Sequence, residues 1–67
     1  MKIINEANLS YEFIGRLIDD IINNCPDDTY NIGDVEIMNF GYKEKNYQLQ
    51  IRYLKSYVEW KIWEVNE

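Results

Sequence analysis

Between Leu9 and Cys25 the apolar residues Leu9, Phe13, Ile14, Leu17, Ile18, Ile21, Ile22 and Cys25 recur at spacings of three and four. That period places them on one side of an α-helix, with Glu12, Arg16, Asp19, Asp20, Asn23 and Asn24 on the other. The pattern predicts an amphipathic helix over about residues 9–24. Asn8 and Ser10 each offer a side-chain oxygen to the free amides of the first turn, and Glu12 meets the positive end of the helix dipole. Pro26 lacks an amide donor and disfavours helical geometry at Cys25, so it stops the helix. A helix of this length is marginal in water by itself and must bury its apolar stripe against the remainder of the chain.

From Tyr30 onward the period changes from 3.6 to 2. Gly33 and Asp34 suggest a turn or bulge, and strands are predicted over about 35–40, 47–54 and 57–65. The middle one alternates most clearly, with Tyr47, Leu49, Ile51 and Tyr53 on one face and Gln48, Gln50 and Arg52 on the other. In the last, Val58, Trp60 and Ile62 are expected to face the helix, and Tyr57, Glu59, Lys61 and Trp63 to face away. Ile3 and Ile4 fit either an edge contact or an early helical turn, so residues 1–8 carry no assignment. The expected fold is α+β, a single domain over 1–67. One N-terminal amphipathic helix packs on a three-stranded antiparallel β-meander in the order αβββ, because short connections favour pairing of consecutive strands.

The chain has 67 residues, 46% hydrophobic and 15% aromatic, which is ample for one core despite a net charge of −5. A lone cysteine at the end of the helical stripe reads as a packed thiol. With no apolar run of membrane-spanning length and no signal-like segment, the expectation is a protein of a reducing cytoplasm that does not enter a membrane. Heavy use of Ile, Asn, Tyr and Lys matches AT-rich codons and points to a low-GC bacterial host cell or a mobile element within it.

The sequence offers little to catalysis. It has no histidine and one cysteine, which removes the commonest general base and leaves too few ligands for structural zinc. Phosphate-loop, dinucleotide and nucleophile-elbow patterns do not occur. A calcium loop counted from Asp27 would need glycine at its sixth position and glutamate at its twelfth, but these are Ile32 and Met38. No catalytic residue, metal or cofactor is therefore expected.

Two features remain. Residues 1–38 hold two basic side chains against eight acidic ones, whereas residues 39–67 hold five against four. The acids gather at Glu12, Asp19, Asp20, Asp27, Asp28, Asp34 and Glu36. Such a surface disfavours direct nucleic-acid binding and suits a basic protein partner. The second feature is the face of the sheet away from the helix, where Tyr57 and Trp63 belong to residue types enriched at interfaces. Met38 and Phe40 join them if the first of the three strands has that parity.

As a compact acidic helix-and-sheet domain without catalytic residues, the chain resembles in profile the small inhibitor proteins of phages and mobile elements, including anti-CRISPR proteins and DNA mimics. The resemblance rests on the seven acids just named and on no motif. It implies occlusion of the basic nucleic-acid-binding surface of an enzyme such as a Cas effector. The alternative expectation is a structural or regulatory module that forms a homodimer through Tyr57 and Trp63.

Overall fold

A computed structural model describes residues 1–24 and 31–66. Cys25, expected as a packed thiol, and Pro26, expected to stop the helix, lie outside the described residues, as do Asp27 and Asp28. The elements run β1 (Lys2–Glu6), α1 (Tyr11–Asn24), β2 (Val35–Tyr42), β3 (Lys45–Tyr53) and β4 (Val58–Val65). They form a four-stranded mixed sheet in the order β1-β4-β3-β2. The three-stranded antiparallel meander is thus corrected. Residues 2–6 form a further strand, parallel to β4, with Ile3 opposite Trp60 and Asn5 opposite Ile62.

The core follows from the two periodicities. Ile14 and Ile18 of α1 are buried together with Tyr47, Leu49 and Ile51 of β3 and Trp60 and Ile62 of β4. Leu49 stands opposite Ile62, and Ile51 opposite Trp60, so one sheet face presents a continuous apolar floor. Phe13 packs on Tyr42 with ring centroids 4.1 Å apart, tying the start of α1 to the end of β2. Ile22 lies on the shoulder of the helical stripe and is 52% exposed, a departure from the expected inward face.

Local chemistry sets the connections. Ser10 caps α1, its Oγ accepting from the Phe13 amide at 3.2 Å. Tyr42 and Lys45 close a two-residue hairpin in which Lys43 and Glu44 both have positive φ, 49° and 65°, the turn whose twist matches that of the strands. At the other end of β2, Gly33 has φ 96°, and its amide and the Asp34 carbonyl both bond to Tyr53, a bulge that starts the strand.

Asn5 occupies an inward position on β1 yet is polar. Its Nδ2 donates to the Leu9 carbonyl at 2.6 Å, and its Oδ1 accepts from the amides of Ala7 and Leu9 at 3.2 and 3.4 Å. These bonds fold the link between β1 and α1, where Asn8 takes φ 57°. Asn5→Ala leaves those backbone groups without partners and is expected to cost about 1–3 kcal/mol. Urea denaturation measures this loss, and faster amide exchange in β1 locates it.

Candidate functional site

The sheet face away from α1 is built by alternation. From β1 to β2, one row across it is Lys2, Glu59, Arg52 and Val35; the next is Ile4, Lys61, Gln50 and Ile37. A third row contains Glu6, Trp63, Gln48 and Asn39. Charges and amides in these rows satisfy one another. Glu6 pairs with Lys61 at 3.5 Å, and Lys61 also sits 5.8 Å from the Trp63 ring centroid. The Trp63 indole donates to Gln48 Oε1 at 3.1 Å and is half-buried. Tyr57 precedes β4 and is 40% exposed. Met38 and Phe40 lie on the helix side, opposite Leu49 and Tyr47, which leaves Val35 and Ile37 on the far face of β2.

Glu59 is the exception to a wet face, since it is only 7% exposed. Lys2 and Arg52 stand opposite it on the two neighbouring strands, and Arg52 reaches its carboxylate at 3.4 Å. Burial without such a partner would strand a charge in a poorly solvated place.

Of the seven acids named from the sequence, the five that are described, Glu12, Asp19, Asp20, Asp34 and Glu36, stand in different settings. Glu12 is held by Arg16 at 2.7 Å, one helical turn away. The carboxylate of Asp34 accepts from the Asn31 amide at 2.9 Å and so shapes the turn before β2. Glu36 points to the helix side, and its Oε2 is buried with no hydrogen-bond partner among the described residues. Asp19 and Asp20 are exposed on α1, Asp20 at the edge of a depression it shares with Ile21, Asn24 and Met38, and they take part in none of the ion pairs among the described residues.

Among the described residues no group of three or more acidic or cysteine side chains is placed to hold a metal ion. A shallow depression of about 510 Å³ lies against β2 and β3, with Asn39, Gly41, Asn46 and Gln48 in its wall. Asn39, Asn46 and Gln48 supply amides there, and Phe40, Tyr47 and Val65 complete the lining. A cleft of about 310 Å³ at the start of α1 is bordered by Ser10, Tyr42, Lys43 and Lys45. The hairpin end of the molecule is thus basic, while the second half of α1 is acidic. No helix among the described residues is long and apolar enough to cross a membrane. In comparisons with protein families, curated proteins and solved structures, the chain matches none.

Arg52→Ala is expected to destabilise the fold by about 1–3 kcal/mol, because Glu59 stays enclosed without its charged donor. The double variant with Glu59→Gln should recover part of that loss. Denaturant midpoints of the four proteins in this cycle measure the coupling.

Proposed function

We propose that this protein is a non-enzymatic inhibitor that binds another protein through the outer surface of α1. Its target is the basic nucleic-acid-binding surface of an enzyme, with a Cas effector nuclease as the leading candidate, and its setting is the cytoplasm of a bacterial host cell. The supporting observation is that Asp19 and Asp20 have no ion-pair partner among the described residues. On the sheet, Glu6, Glu59 and Glu64 each have a Lys or Arg partner, and Glu12 has Arg16. The two aspartates have none and stand in the second half of a helix that carries no basic residue in its last turn.

Negative charge there opposes the helix dipole and costs stability. Residues that weaken the fold while exposing charge are suited to a partner that supplies the missing cations. Glu36, with its inward carboxylate, and Asp34, with its turn, do less for such a contact. Binding energy would come from desolvated salt pairs around the helix, and the molecule's bulk would exclude nucleic acid from the groove. The indole of Trp63 is already engaged by Gln48, which gives the aromatic sheet face the weaker support.

Asp19→Lys and Asp20→Lys separate fold from function. Each is expected to leave the fold intact and to raise stability by no more than about 0.3 kcal/mol in urea denaturation, because both positions precede the last turn, where the dipole acts most strongly. Each is also expected to weaken binding to a Cas ribonucleoprotein at least tenfold and to relieve inhibition in a DNA-cleavage assay. Wild-type binding should weaken as salt is added. A double variant carrying Asp19→Lys and Asp20→Lys that inhibits as well as the wild type would overturn the reading.

A further inference from the structure

The two edges of the sheet are built differently. Edge strand β1 has five residues and carries Lys2 and Glu6 at its ends. Edge strand β2 has eight, contains neither lysine nor proline, and pairs with β3 without a break from Val35 to Tyr42. Natural sheets guard exposed edges by shortness, charge, proline or bulges; β2 is neither short nor broken by proline, and its single charged residue, Glu36, turns to the helix side, which leaves the outer face of the edge uncharged. Beside that edge Ile32, Val35 and Ile37 are 71%, 50% and 58% exposed. We propose that β2 pairs with β2 of a second copy of this chain, antiparallel about a two-fold axis, joining two sheets into one.

The hairpin fixes which backbone groups are available. Tyr42 and Lys45 form the closing hydrogen-bonded pair, so even-numbered residues of β2 turn their amides and carbonyls toward β3. Val35, Ile37, Asn39 and Gly41 direct theirs outward. Opposite residues of an antiparallel pair share a face, and a two-fold axis at Met38 sets Val35 against Gly41 and Ile37 against Asn39 of the copy. That register engages all four outward residues of each strand, about eight new backbone bonds at two per pair.

Charge selects the same arrangement. Asp34 precedes the strand and Lys43 follows it in the hairpin turn, with Glu44 and then Lys45, the first residue of β3, beyond. Antiparallel pairing brings the acidic start of one strand to the basic hairpin of the other, and parallel pairing would align like with like. The outward face of β2 has Asn39 and Gly41 where Ile37 and Val35 of the copy need room, so the exposed β-branched side chains meet small or polar neighbours without a clash.

Sedimentation velocity over a range of protein concentrations tests the proposal, with amide exchange followed by NMR. The wild-type chain is expected to form a dimer that dissociates on dilution, with slower exchange at Val35, Ile37, Asn39 and Gly41 in the dimer. Ile37→Lys places a charge on the edge, and Asn39→Pro removes an outward donor without touching the bonds to β3. Each should weaken association at least tenfold while the far-ultraviolet circular dichroism stays that of the wild type. A wild-type chain that remains monomeric, or a dimer that survives both substitutions and is lost with Trp63→Ser, would overturn it. None of these outcomes bears on Asp19 and Asp20, whose variants test the inhibitor reading separately.

Discussion

The fold depends on a contact that neither partner can do without. α1 is fourteen residues long, below the length at which a helix holds itself together in water, and its Ile14 and Ile18 are buried on the floor made by Leu49, Ile51 and Ile62. The sheet needs the helix equally, because its inner face would otherwise expose those same side chains with Trp60 and Tyr47. Burying each large apolar side chain contributes about 1.5–3 kcal/mol, so a handful of residues supplies much of the driving force in so short a chain. The aromatic contact of Phe13 with Tyr42 then fixes the angle at which the two layers meet.

On the outside, charge is organised by neighbour and not by region. Among the described residues, three of the four ion pairs link a glutamate on one strand to a lysine or arginine on the neighbouring strand, and the fourth spans one turn of α1. Exposed pairs of this kind are each worth little, about 0–1 kcal/mol. Their more consequential effect is on the field around the protein. Paired acids are neutralised within a few ångströms, so the field at a distance is dominated by the carboxylates left over, with Asp19 and Asp20, on two sides of α1, among these.

Much of this architecture is legible in the sequence because it rests on repetition. The stripe of α1 and the alternation in β3 persist over enough residues to declare their periods. β1 does not, since it has five residues and its two isoleucines are adjacent, Ile3 going to the helix side and Ile4 to the other. Its next inward position, Asn5, is polar because it folds the following turn, which erases the alternation a strand would show. Charges at both ends of that segment, Lys2 and Glu6, were the available sign of an edge strand. The candidate surface was harder to read. The pairing of Glu12 with Arg16 follows from a spacing of four, but those of Glu59 with Arg52 and Glu6 with Lys61 depend on strand order. Composition counts Glu36 among the acids without knowing that register turns it inward.

The inequality of the two sheet edges can be put in the language of polymer chemistry. A sheet with two open edges is a bifunctional monomer, free to add units at both ends and grow into a fibre. This sheet is monofunctional, with β1 short and charged on one side and β2 open on the other. Addition at the open edge consumes the only reactive end of each unit, so assembly terminates at two. In that arrangement the short, charged strand β1 acts as a chain terminator, the end at which growth by edge pairing stops.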